Sequence, residues 1–210
     1  MTVSPPAGTK GARTRETLLD AATRLMLEEG YTAVSTRKVA AKARVNHALV
    51  YYYFQTMDEL LLAVFRRGAE TNIRRLERAL AADNPLRGLW EVVSAPHDSA
   101  LTVEFMALAN HREVIREELA TYSRRFRRVQ QDALADILRA YGIDTGGLSP
   151  AALTVLIGGL PRILAMDDTL GLTDGHEEVL ALIETYLARF DRAPAARDDA
   201  SGAGDAPASD

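Results

Sequence analysis

The sequence predicts an all-α fold, and three observations predict it. Apolar residues recur at three- and four-residue spacing through most of the 210-residue chain. No stretch sustains the strict alternation of a half-buried strand. Residues able to cap a helix stand at the starts of the periodic stretches, as at Ser35, Asn46, Thr56, Asn84 and Ser149. About nine helices are expected.

In chain order, residues 1–12 are rich in Pro, Gly, Ser and Thr and are expected to form a disordered arm. Arg13 to Glu29 places Leu18, Ala22, Leu25 and Met26 at helical spacing, with Gly30 suited to a left-handed C′ position. Thr32 to Phe54 then holds two short helices around a polar turn. Val39, Ala40 and Ala43 form the inner face of the first, opened by Ser35 or Thr36, and Val45 follows the turn. Leu49, Val50 and Phe54 form the inner face of the second, with Asn46 as N-cap and His47, Ala48, Tyr51 and Tyr52 on the outer side. This is the spacing of a helix-turn-helix, and the preceding helix completes a three-helix unit over residues 13–56.

Thr56-Met57-Asp58-Glu59 is a capping box that opens a long helix through Leu60, Leu61, Val64, Phe65, Ile73, Leu76 and Leu80. Such a helix would act as a lever between the first unit and the rest. Asn84-Pro85 and Ser149-Pro150 pair a cap with proline at the first helical position, and Asp174 to Glu177 repeats the capping-box pattern. With a break at Ala95-Pro96, helices are expected near 85–94, 98–109, 111–141, 149–170 and 174–192. A second domain therefore covers residues 57–192, and residues 193–210 form a disordered acidic tail.

Charge separates the two domains. Residues 1–56 carry a net +4 and residues 57–210 a net −8. Between Gly30 and Thr56 the charges are Arg37, Lys38, Lys42 and Arg44, with no carboxylate, so the helix pair presents an undiluted positive face that suits a polyanion. There is no cysteine, which excludes disulfides and thiolate chemistry. No apolar run is expected to span a bilayer, because Ala151 to Met166 is interrupted by Gly158, Gly159, Pro161 and Arg162, and no signal-peptide-like stretch opens the chain; a cytoplasmic protein with no membrane partner is expected. The only histidine–carboxylate groupings are His97 with Asp98, His111 with Glu113, and His176 with Glu177 and Glu178. None has zinc-site spacing, and no phosphate-binding glycine loop is present, so neither an enzyme, a metal site nor a cofactor is expected.

The segment LLDAATRLMLEEGYTAVSTRKVAAKARVNHALVYYYFQTMDELL resembles the N-terminal domain of the tetracycline-repressor (TetR) family of bacterial transcription regulators over roughly residues 14–64. The resemblance rests on Gly30-Tyr31, the Ser35/Thr36 cap, Val39-Ala40, Ala43, Val45 and the run Tyr51-Tyr52-Tyr53-Phe54 leading into Asp58-Glu59-Leu60-Leu61. There are three departures. Arg44 stands where the family usually has a turn glycine, Met57 where it often has lysine, and Tyr53 where it often has histidine.

The resemblance implies a homodimeric regulator, a repressor released from a palindromic double-stranded DNA operator by a largely apolar small-molecule effector. It implies that the second helix of the motif enters the major groove. His47, Ala48 and Tyr51 would face base edges, and Arg37 would reach a base or phosphate. Thr36, Asn46, Tyr52 and Tyr53 would meet phosphates, with Arg44 in the turn joining the set. Packing is the competing role for Tyr52, and a solvated surface position is that for His47. The last two long helices would pair with their copies through Leu156, Gly159, Leu160, Ile163, Leu180, Ile183 and Leu187. An effector pocket within residues 85–165 would draw on Trp90, Phe105, Met106, His111, Tyr122, Phe126 and Arg162, each apolar one of which could equally be core. Arg162, inside an apolar helix, needs Asp167, Asp168 or a ligand anion as partner. Arg124, Arg125, Arg127 and Arg128 suit a solvent face salt-bridged to Glu117, Glu118 and Asp132, or else the rim of a site for an anion such as an acyl-CoA. Two other readings stay open. One is a ligand-dependent activator, and the other a helical small-molecule-binding protein without a specific DNA function.

Overall fold

A computed structural model describes residues 9–191, less the side chains of residues 9, 10 and 96–99. Among the described residues there are nine α-helices and no strand: α1 (Thr9–Glu29), α2 (Thr36–Ala43), α3 (His47–Tyr53), α4 (Met57–Leu80), α5 (Pro85–Val93), α6 (Pro96–Ala109), α7 (Glu113–Tyr141), α8 (Pro150–Leu170) and α9 (His176–Ala188), with a single 3-10 turn at Tyr31–Ala33. Helix α1 starts at Thr9, earlier than the expected Arg13. The remainder of the expected arm, residues 1–8, and the expected tail, 193–210, lie outside the described residues.

Local chemistry accounts for most helix ends. Ser35 caps α2 by accepting from the Lys38 amide at 3.4 Å, and Asn46 caps α3 by accepting from the Ala48 amide at 2.9 Å. Thr56 accepts from the Glu59 amide at 3.1 Å, while the Glu59 carboxylate reaches back to the amide of Gln55 at 2.8 Å, one residue beyond the usual capping-box partner. Ser149 caps α8 through the Ala152 amide at 3.2 Å. Two expected caps differ. Asn84 occupies the cap position of α5 without a side-chain cap bond, because its amide turns toward the Asp191 carbonyl. Helix α9 is preceded by Gly175 in the left-handed region rather than capped by Asp174.

Two cores organise the chain, and α4 belongs to both. In the first, Leu18, Leu25 and Met26 of α1, Val39 of α2, Val50 of α3 and Leu60, Leu61 and Val64 of α4 pack with Phe105 and Leu108 of α6 and Ile115 of α7. The three-helix unit therefore shares its apolar interior with α6. The second core joins Leu76 of α4, Leu89 and Val92 of α5 and Leu134 of α7, with Leu153 and Ile157 of α8 packed on it. With 24 residues, α4 spans roughly 36 Å, the length needed to connect them.

Polar ties fix α4 to its neighbours. Arg66 binds Glu118 of α7 through two hydrogen bonds of 2.8 and 2.7 Å, and this guanidinium holds the Glu118 carboxyl below its ordinary range. Arg67 meets Glu16 and Asp20 of α1 at 3.0 and 2.7 Å. Asp58 pairs with Arg112 at the α6–α7 turn.

Helix α8 runs unbroken through Gly158, Gly159 and Pro161, and by length and composition alone it could cross a membrane, which corrects the expectation that no apolar run is long enough. Its apolar side chains are instead part of a broad surface. Val155, Leu156, Ile163 and Met166 of α8 are exposed, as are Leu180, Leu182 and Tyr186 of α9. Leu187 points the other way and is buried within the protomer, so it does not belong to that surface. Arg87 of α5 anchors the end of α9 by forked hydrogen bonds to Asp191 (2.8 Å each) and Glu184 (3.0 and 2.7 Å), which hold both carboxyls below their ordinary values.

Candidate nucleic-acid interface and helical-domain cavity

The outer face of α3 is built by leaving out apolar anchors. Val50 and Phe54 turn inward and are buried, while His47, Ala48, Tyr51 and Tyr52 stand exposed, Tyr51 by 58% and Tyr52 by 52%. The Tyr52 and Tyr53 rings meet edge to face at 5.1 Å, and Tyr53 is half-buried against the core, so Tyr52 is propped outward by its neighbour. Asn46 spends its carbonyl on the α3 cap, and its amide nitrogen faces outward with no partner among the described residues.

The turn between α2 and α3 is a Schellman motif. The Val45 amide reaches the Ala40 carbonyl at 3.0 Å and the Arg44 amide reaches Ala41 at 3.1 Å. The motif requires a left-handed residue at Arg44, which has φ 55° and ψ 43° and is the only non-glycine with positive φ among the described residues. The same motif closes α7 and α8 with Gly142 and Gly171. The strained angle expected at this departure is present, and it holds an exposed guanidinium beside the base of α3.

The positive face is less pure than its composition suggests. Lys38 binds Glu29 at 2.7 Å and Lys42 binds Glu28, so the end of α1 folds two carboxylates onto α2. The Lys38 ammonium draws the Glu29 carboxyl below its ordinary value. Arg37 and Arg44 make no ion pair among the described residues. Thr36 is half-buried and its hydroxyl lies 3.5 Å from the Met57 sulfur, a weak acceptor that leaves it able to accept from or donate to another group.

Beyond this unit, a cavity of about 280 Å³ opens between α4, α5, α6, α7 and α8. Of the residues expected there, Met106, Tyr122, Phe126 and Arg162 line it. Three do not. Phe105 is buried in the first core with its ring 5.1 Å from that of Phe65, Trp90 is half-buried on α5 away from the wall, and His111 is exposed in the α6–α7 turn. Helical spacing could not distinguish wall from core for Phe105, because both positions are buried and apolar. Phe65, Asn72 and Gln130 were not expected there, and Arg127 was expected only as part of a solvent face or of an anion-site rim. Gln130 had left a signal, since it interrupts the apolar row Phe126, Leu134 and Ile137 of α7.

Arg162 is exposed at the cavity without an ion-pair partner among the described residues. The carboxylates expected for it, Asp167 and Asp168, instead face His176 at 3.5 and 3.2 Å, which also separates His176 from Glu177 and Glu178. Of the arginine cluster, Arg125 pairs with Glu70 of α4 at 3.1 Å rather than with Glu117, Glu118 or Asp132, and Arg127 lies on the cavity. Of the expected pairing surface, Leu156, Ile163 and Leu180 are exposed. Leu160, Ile183 and Gly159 are half-buried, with Gly159 also on the cavity wall. The side chains of His97 and Asp98 lie outside the described residues; among those described, no group of three histidines or carboxylates gathers around a common point.

The cavity and the helix pair are connected through α6. Thr102 and Met106 line the cavity, Phe105 enters the shared core, and Glu104 accepts a 2.6 Å hydrogen bond from the amide of Tyr31, at the 3-10 turn between α1 and α2.

Residues 18–64 match the family model described as "Bacterial regulatory proteins, tetR family". The chain is 29% identical over 132 residues to the HTH-type transcriptional regulator BetI of Rhizobium meliloti, covering 59% of this chain and 64% of the relative. It is 41% identical over 66 residues to the HTH-type transcriptional repressor Rv3405c of Mycobacterium tuberculosis, covering 31% of this chain and 35% of the relative. The chain thus spans less than two thirds of the length of these relatives. Its fold is similar to that of a transcriptional regulator from Saccharomonospora viridis crystallised with choline, with a TM-score of 0.68 at 17% identity over 85% of this chain and 95% of the other.

Proposed function

We propose, from the match of residues 18–64 to the tetR family model and the likeness to HTH-type transcriptional regulators, that this chain is a sequence-specific DNA-binding repressor that works as a homodimer and is released from its operator by a small molecule. The observation that carries the reading is the exposed outer face of α3, with His47, Ala48 and Tyr51 free of internal partners and Arg37 and Arg44 unpaired beside it. In the major groove, His47 exchanges hydrogen bonds with a base edge, and Ala48 or the Tyr51 ring packs on a thymine methyl. Arg44, Tyr52 and the Asn46 amide meet phosphates and fix the register.

Dimerisation supplies the second half-site. The exposed apolar faces of α8 and α9 are covered by their copies, and Gly159 lets the paired α8 backbones approach closely. The dimer sets two α3 helices about 34 to 36 Å apart, one turn of DNA.

Release follows from α6 and α4, each of which contributes to the cavity and to the core of the DNA-binding unit. A ligand that favours a different position of α6 pulls Glu104 on Tyr31, and α4 carries the displacement to the base of α3. The ligand must bind the two states with different affinity, by about 1 to 3 kcal/mol of coupling.

Selection of bound duplexes from a random library tests the reading. Enrichment of one palindrome, bound about a thousandfold or more above random DNA and weakened steeply by salt, is the expected result. Uniform weak binding with no enriched sequence would refute it.

A further inference from the structure

We propose that the cavity ligand is a small anionic amphipath, a single carboxylate or phosphate head on an apolar body, and not a cation such as the choline held by the Saccharomonospora viridis neighbour. The inference rests on the cavity being the effector site. Phe65, Tyr122, Phe126 and Met106 give it an apolar, largely aromatic wall, and the Tyr122 and Phe126 rings are 5.5 Å apart. Two guanidinium groups, Arg127 of α7 and Arg162 of α8, line the same cavity without an ion-pair partner, and no carboxylate stands among the described lining residues. Such a wall attracts an anion, which arginine can hold through two parallel hydrogen bonds, and repels a quaternary ammonium.

Gln130 adds a second, independent sign of a polar ligand group. It is 4% exposed, lines the cavity, and its amide makes no hydrogen bond among the described residues. Asn72 donates to the Tyr122 hydroxyl at 3.0 Å, yet its own carbonyl oxygen is buried without a donor. Buried polar groups are rarely left unpaired, and the Gln130 amide offers a donor and an acceptor to a ligand head group or water. A Cβ added at Gly158 or Gly159 would meet nothing within 4 Å, which leaves the α8 wall open beside Arg162. At about 280 Å³ the cavity stands at the small end of ligand pockets, roughly 300 to 1,000 Å³, so it suits a compact ligand.

Titration calorimetry of the full chain, without DNA, against submicellar decanoate, decyl phosphate, decan-1-ol and choline tests this. Expected is saturable binding of decanoate or decyl phosphate at one per chain, at least tenfold tighter than decan-1-ol, with no binding of choline; which anion binds tighter identifies the head group. In the double variant Arg127→Met/Arg162→Met the preference for anion over alcohol should vanish while decan-1-ol binding persists, since both side chains are exposed and leave the core intact. Gln130→Leu, with a thermal melt confirming its fold, should weaken the anion at least threefold. Equal affinity for alcohol and anion, binding of choline, a preference that survives the double substitution, or no binding by any probe would each overturn the inference. Because DNA is absent, these results stand apart from operator binding. An anion that binds the cavity but leaves a selected operator complex intact would refute effector release and not the ligand class.

Discussion

Replacing Arg44 by glycine should make the protein more stable and a poorer DNA binder, two effects of opposite sign from one side chain. The left-handed backbone at φ 55° costs a residue bearing a Cβ about 1 to 2 kcal/mol. Glycine removes that cost but loses roughly 0.5 to 1 kcal/mol through the greater freedom of its unfolded chain. The net is a gain of about 0.5 to 1 kcal/mol, a rise in Tm of roughly 1 to 4 °C for a chain of this size. Arg44 is exposed and makes no ion pair among the described residues, so nothing in the fold offsets the gain. On DNA, losing one phosphate contact should reduce the slope of log K against log salt by about 0.9, which over a fourfold change in salt is about a threefold difference in affinity. Urea unfolding at fixed protein concentration and fluorescence anisotropy across a salt series measure the two quantities. Arg44→Ala separates them, because alanine keeps the strain and removes the charge, so it should share the DNA defect without the added stability. If glycine proves no more stable than alanine, the strain argument is wrong; an unchanged salt slope in both variants would remove Arg44 from the phosphate contacts.

Three further outcomes follow from the same geometry. Glu28→Gln/Glu29→Gln frees Lys42 and Lys38, and the salt slope on random DNA should steepen by nearly 2, whereas an unchanged slope would place these lysines away from the phosphates. Since the Lys38 pair lowers the Glu29 carboxyl, that pair persists at neutral pH and is lost only as the pH falls through the lowered value, so mild acidification from pH 7 should not mimic the substitution. Leu156→Glu/Ile163→Glu puts charge in the exposed α8 face and should yield a folded monomer by sedimentation with operator affinity down at least a hundredfold; a dimer of unchanged mass would relocate the interface. Glu104→Ala removes the acceptor for the Tyr31 amide and should leave ligand affinity by calorimetry within about threefold while reducing ligand-induced operator release at least fivefold, and full release in this variant would exclude the α6 route.

The helix-turn-helix was legible because its signals are local. Ser35 and Asn46 act on amides two or three residues away, and Val39, Val50 and Phe54 repeat within two turns, so tertiary context had little to override. The family resemblance added the roles of the outer residues, which spacing alone does not assign. The charge of the motif was misjudged because Glu28 and Glu29 precede it in sequence and reach it only through the packing of α1 on α2. The cavity was half legible for a similar reason. Met106, Tyr122 and Phe126 share a residue class with Phe105, and only the tertiary packing of α6 and α7 decides which of them faces empty space. Leu187 belongs to an apolar stripe broad enough to cover both faces of α9, so its direction was not fixed by periodicity. Gln130 was an anomaly on the buried face of α7 and the unpartnered Arg162 one within the apolar α8, and both line the cavity.

Base reading by the exposed face of α3 is the step on which the proposed function depends. The most direct measurement compares wild type with His47→Ala on the selected palindrome and on every single-base variant of one half-site, at one salt concentration. The wild type should discriminate at each read position by about 1 to 3 kcal/mol, and His47→Ala should lose discrimination at one position, repeated in the symmetric half, while its affinity for random DNA stays unchanged. A variant that weakens binding equally on all sequences, or leaves the discrimination profile intact, would contradict base reading by α3.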